Sequence, residues 1–132
     1  MANALARVEY NPTRRYTTRR YKITLSGNYT NGGEVLDFTA ATVTGGKGDN
    51  KAIGYGLSIT DSRVTLSLPN PGFAGYVFAL TKGTTFANSK LNIYQSDDAV
   101  DPLDELTGGA AIPAALTASV DIYVDLTTPN PY

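Results

Sequence analysis

The chain has no cysteine, no histidine, no tryptophan and a single methionine in 132 residues. Without cysteine there are no disulfides and no thiolate chemistry, so stability must come from packing. Without histidine the commonest general base near neutral pH is missing, and with it the usual zinc ligands. Strong net charge is also lacking: eleven cations against twelve anions leave -1, which excludes a bulk polycation. No apolar run approaches the ~20 residues that a membrane-spanning helix needs. The first residues, MANALARVEY, lack the basic-then-apolar order of a secretory signal, which predicts a protein not exported by that route.

What is present reads as β-structure. Tyr21, Ile23, Leu25 and Tyr29 alternate with Lys22, Thr24, Ser26 and Asn28, the period of a half-buried strand. TNGG at 30–33 carries the Asn-Gly signal of a tight hairpin, which predicts a return strand over 34–43. GGKGDNK at 45–51 reads as a mobile loop, followed by a strand around 52–60 and another at 63–68. Pro69 to Gly72 form a turn by composition. FAGYVFAL, 73–80, is apolar on both faces and predicts a central strand. A short strand at 90–95 follows. The stretch 97–116 is the least strand-like, with one helical turn expected near 102–106. The final strand, 118–126, puts Val120, Ile122, Val124 and Leu126 on one face, with Asp121, Tyr123 and Asp125 on the other. About seven short strands with frequent turns predict an all-β fold, an antiparallel jelly-roll-like sandwich or small barrel. There is no internal repeat and no second domain.

Chemistry is sparse. Nucleophilic catalysis needs a Ser, Thr or Cys beside a base, and no such pairing stands out. GGKGDNK lacks the Gly-Lys-Ser/Thr ending of a phosphate-cradling loop and precedes a strand. DDAVDPLDE, 97–105, gathers five carboxylates, enough by number for a Ca²⁺ ligand set, but without the glycine at the centre of an EF-hand loop. The expected reading is a solvated loop, with no catalytic, cofactor or metal site and no enzymatic activity.

Charge is unevenly placed: six of the eleven cations fall in the first 22 residues, and seven of the twelve anions after residue 96. The stretch NPTRRYTTRRYK, 11–22, sets Arg14, Arg15, Arg19, Arg20 and Lys22 around Tyr16 and Tyr21. Residues 1–20 therefore read as an extended basic arm, 21–126 as the β domain and 127–132 as an extended tail. Fully extended, the arm would reach ~65 Å at ~3.3 Å per residue. Arginine and tyrosine are enriched at interface hot spots, and an arm can add a strand to a neighbour's sheet. The same residues could meet phosphates and stack on bases, the weaker reading because the run is short and interleaved with Thr. A carbohydrate-binding sandwich using exposed tyrosines is a further alternative.

The order ITLSGNYTNGGEVLDF (23–38), GYVFAL (75–80), NSKLNIYQ (88–95), an acidic stretch ending in Glu105, and LTASVDIYV (116–124) resembles the small capsid decoration, or cement, proteins of tailed bacteriophages. The resemblance covers about residues 20–126. It implies a jelly-roll-like or sandwich domain with an N-terminal arm, located on the outer capsid surface of a virion assembled in the host cytoplasm. It implies a partner, the major capsid protein, whose neighbouring subunits are bridged to stabilise the head. Neighbouring copies of the chain, as homo-dimer or homo-trimer, are the other expected partner. No membrane and no cofactor are involved. On that reading the contacts come from Arg14, Arg15, Tyr16, Arg19 and Arg20 in the arm and from Tyr132 in the tail.

Overall fold

The structure is a computed structural model, and it describes residues 3–40, 42–43, 59–67, 76–95, 104–117 and 122–129. The strands among them are β1 (Asn3–Pro12), β2 (Tyr16–Leu25), β3 (Glu34–Leu36), β4 (Thr42–Val43), β5 (Arg63–Ser67), β6 (Tyr76–Thr81), β7 (Ser89–Gln95), β8 (Asp104–Glu105) and β9 (Ile122–Pro129). One helical turn, α1 (Ala114–Thr117), follows Pro113, and 3-10 turns lie at Phe38–Ala40 and Ile59–Asp61. The strands form two open sheets, one in the order β4-β1-β2-β9-β5 and the other β3-β7-β6, with β8 beside β7. Among the described residues every ladder is antiparallel except β1 with β4. The all-β expectation holds as two sheets, and these strands do not close into a barrel.

The basic arm is a correction. Residues 3–12 and 16–25 are the two longest strands of the larger sheet, and β2 lies between β1 and β9. The expectation of an arm rested on the crowding of cations in the first 22 residues, and crowded cations repel one another. A strand relieves that repulsion, because successive side chains point to opposite faces. Along β2, Thr17, Arg19, Tyr21, Ile23 and Leu25 turn inward and are buried. Arg20 turns outward, where Glu9 stands beside it on β1 and Asp125 on β9. Arg19 donates from Nη1 to the Thr128 hydroxyl at 2.9 Å. A bulge at Val8 inserts one residue between Arg7 and Glu9, so Arg7 lies opposite Tyr21 and Glu9 opposite Arg20. The tail also shortens: β9 runs through Thr127–Pro129, and 130–132 lie outside the described residues.

The core sits between the sheets. Ile23, Val124 and Leu126 from the larger one face Leu36, Leu91 and Ile93 from the smaller, all almost fully buried. Tyr21 and Phe38 close one side with ring centroids 5.1 Å apart and tilted at 49°. Leu106, Ile112 and Leu116 cover the core from the connections.

TNGG makes the expected tight turn, with Gly32 and Gly33 at φ 88° and 117° and Gly33 N donating to Thr30 O at 3.0 Å. It does not make a hairpin. β3 pairs with β7 in the other sheet, so the segment from Gly27 to Gly33 crosses between sheets. Glu105 takes the place of a partner strand: its Oε1 accepts from Tyr29 OH and from Gly32 N, both at 2.9 Å. Buried Glu34 accepts from Thr30 N at 3.0 Å, and Asn92 Nδ2 donates to Gly32 O at 2.9 Å. At φ 117° Gly33 holds a backbone conformation that strains any other residue, and an alanine Cβ there would also press on Asn92 Nδ2 at 3.0 Å and Lys90 Cβ at 3.1 Å.

Three further expectations change. The return strand ends at Leu36. The helical turn expected at 102–106 is strand β8, because Glu105 and Asp104 pair with Tyr94 and Gln95. The stretch read as a central strand gives β6, the last strand of the smaller sheet, with Val77 45% exposed. The strand expected at 52–60 and the loops at 45–51 and 69–72 lie outside the described residues, apart from the 3-10 turn that begins at Ile59.

The packing bears first on truncation. A chain lacking residues 1–20 loses β1 and half of β2, which strips β9 of much of its partner and opens the core beside it. It should show no cooperative thermal transition by circular dichroism; a folded truncated domain would restore the arm. A second prediction concerns alkali. Burial pushes the Tyr21 phenol up to about 12 from 10.0, against the pull of Arg19 and Arg7. Burial likewise pushes Tyr29 up to about 12, with the Ile93 N–H lowering it and the Glu105 hydrogen bond raising it. A raised folded value means that the protonated phenol stabilises the fold fully below pH 10. That contribution, on the order of 2 kcal/mol for Tyr21, is lost as pH rises from 10 through 12. Urea midpoints should therefore fall over that interval in step with tyrosinate absorbance, and should fall less in Tyr21→Phe.

Candidate functional site

The outward face of the larger sheet gathers exposed charges and tyrosines of β1, β2, β5 and β9. Register fixes its rows. Glu9, Arg20, Asp125 and Thr65 run across the four strands, and Asn11, Thr18, Thr127 and Arg63 form the next row. Lys22, Tyr123 and Ser67 lie on one side of these, and Tyr16 with Pro129 on the other.

Arg20 is the centre. Its Nε donates to Asp125 Oδ1 at 2.8 Å and its Nη2 to Oδ2 at 3.0 Å, a two-pronged pair. Its guanidinium also lies over the Tyr123 ring, 5.6 Å from the centroid. The hydrogen bond to Asp125 holds Arg20 above its ordinary value, desolvation opposes it, and the charges of Asp125 and Glu9 add to the rise. The middle of the face is thus neutralised and held in one geometry. In the next row the hydroxyls of Thr18 and Thr127 meet at 3.1 Å.

At the end of the face the β1–β2 turn projects. Thr13 N and Thr13 Oγ1 both donate to Tyr16 O, at 2.7 and 2.6 Å, and Tyr16 N donates back to Thr13 Oγ1 at 3.1 Å. This lock leaves Arg14 and Arg15 at the exposed tip. Tyr16 is 52% exposed. Between this turn and the 3-10 turn at 59–61 lies an open cleft of about 670 Å³, walled by Tyr16, Thr18, Thr127, Asp61 and Arg63. Lys82, just past the end of β6, donates to Ser62 O at 2.6 Å and ties the far wall to the smaller sheet.

The residues expected to make contacts separate accordingly. Arg14, Arg15 and Tyr16 are together and exposed, and Arg20 is half-buried on the same face. Arg19, adjacent in sequence, is only 4% exposed and faces the core, so it is removed from the contact set. Tyr132 lies outside the described residues. Tyr123, Asp125 and Arg63 were not among the expected residues. The alternation of DIYVD sets Tyr123 and Asp125 on one outward face, but only the β2–β9 register shows that this face carries Arg20.

The face offers hydrogen bonds, an aromatic platform and a few exposed charges. Among the described residues no cluster of three or more acidic side chains stands close enough to hold a metal ion. Most of the acidic stretch 97–105 lies outside those residues. Compared with protein-family models, with curated proteins and with solved structures, the chain finds no match.

Asp125→Asn should test how tightly the face is held. Both partners are partly exposed, 34% and 22%, so the loss in stability should be about 0.5–1 kcal/mol at low salt. It should shrink at 1 M salt, as urea denaturation at the two ionic strengths will show.

Proposed function

We propose that this chain is a virion structural protein, a capsid decoration protein of a tailed bacteriophage. It sits on the outer surface of the head, bridges neighbouring major capsid subunits through the outward face of its larger sheet, and does no chemistry. The reading rests on the resemblance of residues 20–126 and on one observation: Arg14, Arg15 and Tyr16 project from a locked turn on a rigid sheet. A grip of this kind loses less entropy on binding than a disordered arm would. The two arginines suit carboxylates on a shell, and Tyr16 supplies contact area at low entropic cost. A nucleic-acid reading has less to draw on. Of the cations in the first 22 residues, Arg7 and Arg19 are buried and Arg20 is paired.

The test is co-sedimentation with undecorated tailed-phage shells assembled from purified major capsid protein. The unaltered protein should bind saturably. Arg14→Glu with Arg15→Glu should weaken binding by about tenfold or more, since each exposed charge pair contributes up to ~1 kcal/mol and its reversal adds repulsion. Absence of binding by the unaltered chain overturns the decoration reading. Full binding by the reversed pair moves the grip elsewhere. Affinity for linear DNA that falls steeply with salt would favour the nucleic-acid alternative.

A further inference from the structure

We propose that β5 is a docking edge for a second copy of this chain, with the two β5 strands pairing antiparallel about a two-fold axis. β5 is the last strand of the larger sheet, joined to β9 over Arg63–Ser67. On its other side no described strand pairs with it. A strand edge of this kind is a template for another strand, and proteins that must stay monomeric blunt it with proline, lysine, a bulge or brevity. β5 has no proline, no lysine and no bulge within Arg63–Ser67. It is RVTLS, regular in register for five residues, with one charge, at its first position. Among the other edges of the described strands, β4 has two residues, β3 three, β8 two and β6 six, while β1, which β4 pairs only at Ala6 and Arg7, carries the bulge at Val8 and ends at Pro12.

The strand is complementary to itself. A register that sets Thr65 opposite Thr65 of the second copy places Val64 opposite Leu66 and Arg63 opposite Ser67. Val64 and Leu66 are only partly buried, at the rim of the core. The second copy would cover them with the same two side chains. The two Arg63 side chains then lie about four residues apart along the pair, ~13 Å at ~3.3 Å per residue, beyond the Debye length of ~8 Å at physiological salt. An axis normal to the sheet makes one continuous ten-stranded sheet from the two five-stranded ones. It also turns both Arg14–Tyr16 faces to the same side. The value of that orientation rests on the proposed docking to a shell; the pairing itself does not.

A single edge pairing is a small interface, so the dimer is weak in free solution and strengthened where a surface concentrates it. Sedimentation equilibrium of the full chain from about 10 μM to 1 mM should show the mass rising from 14.0 kDa towards twice that value. Thr65→Lys sets like charges across the axis, while in its own sheet the lysine lies beside Asp125, so the fold is kept. This variant should dimerise at least tenfold more weakly. Amide exchange in the unaltered chain supplies a second readout: β5 amides should become more protected as concentration rises. A single 14.0 kDa species throughout, a dimer that Thr65→Lys leaves intact, or β5 exchange independent of concentration each overturns the proposal. If Thr65→Lys unfolds, the exchange result decides. No shell enters these measurements, so failure of shell binding leaves their outcome standing.

Discussion

The antiparallel pairing of β2 with β9 is the constraint on which the rest depends. It joins Tyr16 to Pro129 and Ile23 to Ile122, residues about a hundred positions apart. One face of this ladder supplies Ile23, Val124 and Leu126 to the core, and the other supplies Arg20, Asp125 and Tyr123 to the surface. A slip of one residue would exchange the two sets, burying Asp125 and exposing Val124. Core and surface therefore specify the same register independently. Closing so long a loop is entropically costly and slow, and the pairing becomes favourable only when both faces are satisfied together.

The arginines show how one strand can carry a charge cluster into a sheet. Arg14 and Arg15 occupy a turn, Arg19 points inward to Thr128, and Arg20 points outward to Asp125. Arg7 joins Arg19 beside Tyr21, where both guanidiniums favour the ionised phenol and burial outweighs them. Burying two cations costs much unless polar partners accompany them. The inward face of the larger sheet accordingly changes character along its length. It is aliphatic at Ile23 and Leu25, and carries Thr17, Arg19 and Thr128 at the turn end.

Local alternation makes the all-β class legible, together with the inward Tyr21, Ile23 and Leu25 of β2 and Ile122, Val124 and Leu126 of β9, and the Asn-Gly pair marks the turn at 30–33. What stays hidden there is set by partners distant in sequence. YTTRRYKITL alternates throughout, but its first half carries hydroxyls and guanidiniums at inward positions, so it reads as solvated. The Thr128 hydroxyl, which accepts from Arg19, makes that position tolerable, and it is not visible from the strand alone. TNGG carries a hairpin signal and forms its turn, but Tyr29 and Glu105 hold the segment across to the other sheet. DELT reads as part of a helical turn, and pairing with Tyr94 and Gln95 overrides that propensity. The candidate face is half legible: Arg14, Arg15 and Tyr16 stand together as the run suggests, whereas Tyr123 and Asp125 join them only through register.

A face with a neutralised centre and a charged rim has a physical advantage for docking. Arg20 is already paired and stacked, so covering it needs little further ordering. Arg14 and Arg15 remain hydrated at the edge, where charge guides approach more than it adds affinity. Thr18 and Thr127 share a hydroxyl–hydroxyl hydrogen bond on the same surface. A rigid surface with few strong contacts binds weakly as a single copy. Pairing through β5 would double it without new chemistry, because one continuous sheet would then carry two such faces. The same arrangement confines strong attachment to partners whose sites repeat at the spacing of the pair.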